Sequence, residues 1–354
     1  MSSCRHDPGA DAVTPDVGSL EGKRVMITGA SGSFGRHFLR ALLEGTRGAT
    51  AVAYVRNEVQ QAKLAHEFAA FRPRLRLFLG DIRNEERVTQ GMYECDVVVH
   101  AAALKRVDDT AIHPYELFLT NVIGTKHVLK AAQDLKVPRV LVLTSDKCVE
   151  PVNSYGTSKL AAEQMAVAWN IYSYARGCRV TCLRYGNVLG SRGSVAHQWK
   201  RALLAGESLT ITDPAMTRFW LTLDQAVEWA CHALRIMRGG EIVVPRLPAM
   251  ELGQVAVAAM HAFGKGPAAH TVRFTGKRPG GEKRDETLLS PHEMSRAVVL
   301  EHGWILEPDW ELPLEREPWL GPRAAAGYTS DHPARWLPIE EMTDWLRAMP
   351  EEAG

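Results

Sequence analysis

The stretch TSDKCVEPVNSYGTSK, residues 144–159, sets five reactive side chains in sixteen positions: Ser145, Asp146, Lys147, Tyr155 and Lys159. Tyr155 and Lys159 stand four residues apart, so on a helix they share one face. An ammonium beside a phenol lowers the phenol's pKa. Such a tyrosine can serve as a general base near neutral pH. Ser145 closes an apolar run and can hydrogen-bond the same substrate hydroxyl. Asp146 and Lys147 add a carboxyl and a second amine. A Y-x-x-x-K pair alone is common and usually marks a surface helix face, so its meaning depends on the elements that position it.

Those elements alternate. KRVMITGASGSFGRHFLRALLEG reads as a buried strand, a glycine turn and a helix. ATAVAYVRNE is a second strand, EVQQAKLAHEFAAF a helix, LRLFLGDI a third strand and CDVVVHAAA a fourth. HPYELFLTNVIGTKHVLKAAQDL predicts one long helix and RVLVLTS a fifth strand. NSYGTSKLAAEQMAVAWNIYSYAR is the helix that carries Tyr155 and Lys159, and RVTCLRYGNVLG is a sixth strand. Apolar strands alternating with amphipathic helices predict the α/β class: a Rossmann-type, doubly wound parallel sheet covered on both faces.

Gly29, Gly32 and Gly35 form G-x-x-G-x-x-G between the first strand and first helix. Glycines there let backbone approach a pyrophosphate, and the helix N-terminus favours its charge. A glycine turn by itself means only a tight connection, but this one follows VMIT and opens a helix, which is the context a dinucleotide site requires. The turn residues Ser31, Ser33 and Phe34 join the expected contacts. An NAD site places an Asp or Glu at the end of the second strand. Here YVRNE offers Arg56 and Asn57, which suit a 2′-phosphate and point to NADP; the alternative is that Arg56 lies on the surface. Asp81 and Ile82 in GDI are placed near the adenine. Ala101, Ala102 and Ala103 run beneath the cofactor.

The expected organisation is a mobile N-terminal tail at 1–19, the NADP-binding domain at 20–190, and a smaller interleaved C-terminal substrate lobe occupying most of 191–350. MTRFWLTLDQAVEWACHALRIM reads as a helix there, and GGEIVVP as a strand near 241–245 that rejoins the sheet. The cleft between lobes is the expected ligand site. Forty-two basic against 41 acidic side chains give a net charge of +1, which makes no case for nucleic acid or an anionic membrane as partner. No apolar run reaches the roughly 18 residues of a membrane span. The six cysteines lack C-x-x-C or metal-ligand spacing and read as free thiols in a reducing cytoplasm, with no metal site.

Together, the glycine turn, Ser145, Tyr155 and Lys159 resemble the extended short-chain dehydrogenase/reductase family, over roughly residues 20–345. TGASGSFG, AAALKRV, TSDKCVEPVNSYGTSK, RYGNVLGSRGSV, ITDPAMTRFWLTLDQAV, GGEIVVP and RPGGEK resemble one branch, the inverting UDP-N-acetylglucosamine 4,6-dehydratases. The resemblance implies that Tyr155 takes the 4-hydroxyl proton while C4 gives a hydride to NADP⁺. It gives Lys147 removal of the C5 proton and Asp146 protonation of the departing 6-hydroxyl. Hydride then returns to C6, and Lys147 reprotonates C5 from the other face. That split asks for a neutral Lys147, through desolvation, and a protonated, buried Asp146. As a coupled pair they can share one proton; a structural salt bridge is the alternative.

By the same resemblance Lys105, Asn187, Arg218, Arg278 and Glu282 bind the UDP-sugar, and the chain forms a homo-oligomer. Three other outcomes stay open: a 5,6-dehydratase, a nucleotide-sugar 4-epimerase and a non-catalytic NADP-sensing protein. Two departures from the branch pattern stand out, the extra Gly281 and the thiol of Cys148 next to Lys147.

Overall fold

In the computed structural model the described residues are 15–105, 112–264, 266–267, 270–276, 280–309 and 317–352. The strands of the first half are β1 (Arg24–Thr28), β2 (Thr50–Val55), β3 (Leu75–Leu79), β4 (Val97–His100), β5 (Arg139–Ser145) and β6 (Arg179–Tyr185). After them come β7 (Asn187–Val188), β8 (Leu209–Ile211), β9 (Thr217–Leu221), β10 (Ile242–Pro245) and β11 (Ala249–Glu251). The last are β12 (Val272–Phe274), β13 (Thr287–Leu289), β14 (Ala297–Leu300), β15 (Gly303–Leu306) and β16 (Tyr328–Thr329). Nine strands form one sheet in the order β14-β15-β10-β6-β5-β4-β1-β2-β3. From β3 to β10 the neighbours are parallel; β15 lies antiparallel on β10, and β14 antiparallel on β15.

Both faces of this sheet are buried, which explains strands that are apolar throughout. Val25 and Ile27 of β1, with Val97 and Val99 of β4, pack under the helices Ser33–Gly45 and Leu223–Ile236. Met26 and Val98 point the other way, into a core shared with the helices Glu85–Met92, Gly124–Asp134 and Ser154–Ser173. A third core joins Trp199, Trp220, Met250, Ala256 and Leu346, from the helices Val195–Leu204, Leu252–Phe263 and Ile339–Ala348 and strands β9 and β11.

The chain crosses between these bodies more than once. The helix Leu223–Ile236 and strands β10, β14 and β15 all lie beyond residue 190 yet complete the main sheet and its cover. At the other end, Val17 and Leu20 are buried beside the helix Ser33–Gly45, so ordered packing begins inside the segment expected as tail. Two local expectations change. Residues 217–221 form a fully buried strand rather than the start of a helix, and Thr222 then opens the helix with a capping box to Gln225. The long helix expected over 113–135 is Pro114–Phe118 and Gly124–Asp134, joined through a π-turn at Leu119–Ile123. Among the described residues no helix is long and apolar enough to cross a membrane.

Candidate active site

The sheet order reverses at β1, which lies between β4 and β2. In open parallel sheets the crevice beyond such strand ends receives the ligand. The glycine turn follows β1 there. The helix Ser33–Gly45 has Gly32 as its N-cap, with no side-chain cap on its first N–H groups. A Cβ on Gly35 would lie 2.4 Å from the Gly29 carbonyl oxygen, so only glycine lets the helix seat this close to the turn. An uncapped helix N-terminus over a glycine turn fits a dinucleotide pyrophosphate. Arg192, from the second lobe, donates its backbone N–H to Ser33 Oγ at 2.8 Å.

The other expected cofactor contacts gather at neighbouring strand ends. Thr28 Oγ1 accepts from the N–H groups of Ala101 and Ala102, each at 3.2 Å, and lies 2.7 Å from His100 Nδ1. His100 Nε2 meets Thr125 Oγ1 at 3.0 Å. Burial, with Lys159 nearby, holds His100 down to about 3, so the neutral ring braces β1 against β4. Ala103 is exposed beyond the brace, and Ile82 is buried. Phe34 stacks on Phe38. Arg56 is exposed at the end of β2. Asn57 caps the helix Glu58–Glu67 by accepting from Gln60 N at 3.0 Å. Asp81 is ion-paired with Arg83 at 2.7 Å. Ser31 offers its carbonyl to Arg36 Nε at 3.3 Å. Asn57 and Asp81 therefore hold local structure with the same side chains that were expected to face the cofactor.

The reactive cluster lies two strands away. β5 ends at Ser145, and Asp146–Cys148 form a 3₁₀ turn whose start is capped by Ser145. Asn153 then caps the helix Ser154–Ser173, which carries Tyr155 and Lys159 back over the turn. Asp146 is fully buried. Its Oδ1 accepts from Ser145 Oγ at 2.7 Å and from Lys147 Nζ at 2.9 Å; its Oδ2, also buried, accepts no hydrogen bond among the described residues. Lys147 Nζ also donates to Asn187 Oδ1 at 2.8 Å and lies 3.4 Å from Glu286 Oε1.

Two electrostatic expectations are corrected here. Burial works against the Lys147 charge, but the Asp146 and Glu286 carboxylates outweigh it and hold the ammonium above the ordinary lysine value. Lys147 therefore stands charged, not neutral. Tyr155 is pushed up, not down: burial leads, Asp146 adds to it, and only the Ser145 hydroxyl opposes. Lys159 is buried and donates to the Leu143 carbonyl at 2.6 Å, and burial lowers its own pKa.

Residues 281–286 reach this cluster from the C-terminal half of the chain. Arg218 is buried and fully engaged. It donates to the carbonyls of Thr217 (2.7 Å), Arg284 (2.8 Å) and Lys283 (3.1 Å), and to Glu282 Oε1 (2.9 Å). A guanidinium so committed organises the 282–286 segment, where the sequence suggested a diphosphate contact. Asn187 likewise faces Lys147 rather than standing free. Glu282 Oε2 is buried without a hydrogen-bond partner among the described residues. Lys105 is exposed beyond β4. Arg278 lies outside the described residues. The extra glycine has a backbone reason: Gly280 and Gly281 adopt φ of 89° and 96°, in the region that favours glycine. Gly281 accepts from Asn153 Nδ2 at 3.0 Å, tying the segment to the cap of the helix that carries Tyr155 and Lys159.

The profile of a family described as "Polysaccharide biosynthesis protein" matches residues 25–308. The chain belongs to that family. It is 33% identical over 335 residues to the UDP-N-acetylglucosamine 4,6-dehydratase (inverting) of Campylobacter jejuni, covering 92% of this chain and 97% of that one. A protein named UDP-glucose 4-epimerase from Rickettsia felis is 38% identical over 279 residues, covering 78% and 80%. Among solved structures, Pen from Bacillus thuringiensis superposes with a TM-score of 0.84 at 31% identity, covering 92% of this chain and 97% of that one. The resemblance to inverting dehydratases on a short-chain dehydrogenase/reductase fold thus holds over nearly the whole chain.

Cys148 does not touch the Lys147 amine. Its thiol is buried and faces Glu163 Oε2 at 3.4 Å, and burial first, then the Glu163 charge, push it up. It remains a protonated thiol against a buried cluster. Arg184 binds Glu163 at 2.6 Å and Glu293 at 2.9 Å, and Glu163 also accepts from Thr144 at 2.6 Å. Three further residues were not read from the sequence. Asn121, in the π-turn, clamps Leu104 through both its N–H (2.8 Å) and its carbonyl (2.9 Å), and donates to Ser158 at 3.0 Å. π-turns within helices often mark functional positions, but the interruption has no sequence signature here. Lys283 and Glu286 lie in EKRDE, a run that reads as solvated charge. Its burial is visible only in the fold.

Proposed function

We propose that this protein is an NADP-dependent sugar-nucleotide dehydratase. It removes water from a UDP-sugar, UDP-GlcNAc foremost, to give a 4-keto-6-deoxy product inverted at C5, and works as a homo-oligomer. The observation that carries this reading is the Asp146–Lys147 pair at the end of β5, with a buried carboxylate oxygen that takes no hydrogen bond from the described residues. NADP bound at the strand ends would accept a hydride from C4 and supply it at C6, so that none is consumed.

The chain's own groups do the rest. Tyr155, hydrogen-bonded to Ser145, takes the 4-hydroxyl proton. Burial and the Asp146 charge favour its neutral phenol and the Ser145 hydroxyl opposes them; in this reading Lys159, on the same helix face, has the task of stabilising the phenolate. The C4 ketone acidifies the C5 hydrogen. One proton moved from Lys147 Nζ to Asp146 Oδ1, along their 2.9 Å hydrogen bond, leaves a neutral amine and a neutral acid. Lys147 then takes the C5 proton, Asp146 protonates the departing 6-hydroxyl, and water leaves. After hydride reaches C6, Lys147 returns a proton to C5 on the opposite face.

A 4-epimerase is the second reading, because relatives carry that name. It needs the Tyr155 set but gives Asp146–Lys147 no task. Incubation with UDP-GlcNAc and NADP⁺ in D₂O, followed by mass spectrometry and NMR, separates them. Loss of water with deuterium at C5 is expected; a 4-epimer or an unchanged sugar refutes the dehydratase reading. An exocyclic 5,6-alkene would assign a 5,6-dehydratase instead.

A further inference from the structure

We propose that Glu286, anchored by Lys283, is a positioning residue for Lys147: from the second lobe it fixes the ammonium beside Asp146 and governs when the two exchange their proton. The inference rests on the dehydratase reading for its consequence, but not for its geometry. Glu286 is 3% exposed, and its Oε1 lies 3.4 Å from Lys147 Nζ. Its Oε2 lies 2.9 Å from Lys283 Nζ. Lys283 Nζ in turn donates to the carbonyls of Val149 (2.9 Å) and Asp146 (3.4 Å), on the turn that bears Lys147. The Glu286 backbone N–H donates to Ser330 Oγ at 2.8 Å, and Ser330 Oγ meets Thr217 Oγ1 at 2.5 Å. Lys283 thus ties the Glu286 carboxylate to the strand-end turn, while the Glu286 backbone is tied through Ser330 to Thr217 of β9.

The charges around Lys147 come from every element packed on it. Asp146 stands on its own turn, Glu286 on the 283–286 segment, and Arg218 on β9, with its Nε 3.9 Å from Glu286 Oε1. Asn187, on β7, is neutral. Proton exchange within the pair breaks an N–H bond on Lys147 and makes an O–H bond on Asp146. It turns an ion pair into two neutral groups. The Glu286 charge favours the ammonium, so it opposes that exchange, favours uptake of the C5 proton by the neutral amine, and opposes the later return of a proton to C5. Glu286 therefore balances abstraction against reprotonation, which a residue with a merely structural duty would not do.

Two readouts on the full-length protein test this. The first uses no sugar: the pH dependence of Lys147 labelling by acetic anhydride, followed by mass spectrometry. Glu286→Gln should move half-maximal labelling down by at least about one pH unit, a tenfold change in the amine-to-ammonium ratio. Glu286→Asp should restore it. Lys283→Met, which removes the cation competing for Glu286, should move it up, and this variant decides the matter if Glu286→Gln does not fold. Coincident labelling curves in wild type and variants overturn the proposal. The second readout is the pH profile of C5 deuterium exchange with UDP-GlcNAc. It should shift down with the labelling in Glu286→Gln while KM changes less than about threefold; a uniform fall in kcat at every pH, with no shift, overturns the proposal. If labelling shifts but the wild-type enzyme loses no water from UDP-GlcNAc, the placement of Glu286 stands and the dehydratase reading falls.

Discussion

Arg184→Met tests whether the buried cluster behind the reactive turn holds the two halves of the site together. Arg184 is 2% exposed and Glu163 1%. The guanidinium donates to Glu163 Oε2 (3.1 Å) and Oε1 (2.6 Å), to Glu293 Oε2 (3.1 Å) and Oε1 (2.9 Å), and to the Leu288 carbonyl (3.0 Å). Methionine keeps the apolar stem and leaves two carboxylates facing each other without a cation. Removing one partner of a buried ion pair costs about 3–5 kcal/mol, and the orphaned Leu288 carbonyl adds roughly 1 kcal/mol or more. The expected loss is about 4–6 kcal/mol. With a denaturant slope of roughly 3–4 kcal/mol/M for a chain of this size, the urea midpoint should fall by about 1–2 M. Glu163→Gln added to Arg184→Met should recover at least about 1 kcal/mol, because one uncompensated charge is gone. A loss below about 1 kcal/mol, or a double variant no more stable than the single one, would show that the cluster does not support the fold in this way.

Three further outcomes are expected. Gly35→Ala would put a methyl 2.4 Å from the Gly29 carbonyl oxygen, forcing the helix off the turn; it should cost about 1–3 kcal/mol and weaken dinucleotide binding at least tenfold by titration, and wild-type affinity contradicts the glycine-turn argument. Arg56→Glu should reverse the preference between NADP and NAD by placing a carboxylate where a 2′-phosphate would sit; an unchanged affinity ratio removes Arg56 from the site. Burial alone would favour a neutral Glu286, yet Lys147, Lys283 and Arg218 hold its carboxyl down to about 2 from an ordinary 4.5. Its depressed pKa contributes stability above pH 4.5 that is lost as pH falls toward 2, about 3 kcal/mol at roughly 1.4 kcal/mol per pH unit. Urea unfolding across that window should show Glu286→Gln losing less stability on acidification than wild type, and parallel curves refute the assignment.

The parallel sheet, its first six strands and the strand near 241–245 were legible because both faces are buried, so each strand is an apolar run and each helix an amphipathic one; the order in which the strands pair, and the antiparallel β14 and β15, were not. Local competition was harder to read. TRFWL has enough apolar residues for either a strand or a helix turn, and pairing with β11 and β7 decided it. The capping box at Thr222 and Gln225 was a readable signal for where the helix begins. The lobe boundary was less legible, since nothing in residues 223–236 says which sheet face they will cover. Cys148, next in sequence to Lys147, faces the buried Glu163, while Asp146 on the other side of Lys147 accepts from the amine; which neighbour meets Lys147 was decided by the packing around the turn.

The sequence by itself determined which groups are available: Ser145, Asp146, Lys147, Tyr155 and Lys159 at a strand end and on one helix face, and a glycine turn with Arg56 and Asn57 directly after the second strand. Those follow from periodicity and local turn chemistry, which act over a few residues. Tertiary structure alone decided the charge on Lys147, the committed state of Arg218, and the presence of Glu286, 139 positions from Lys147 in the chain. Protonation depends on burial and on charges within a few ångströms, and those neighbours are brought together by folding rather than by sequence order.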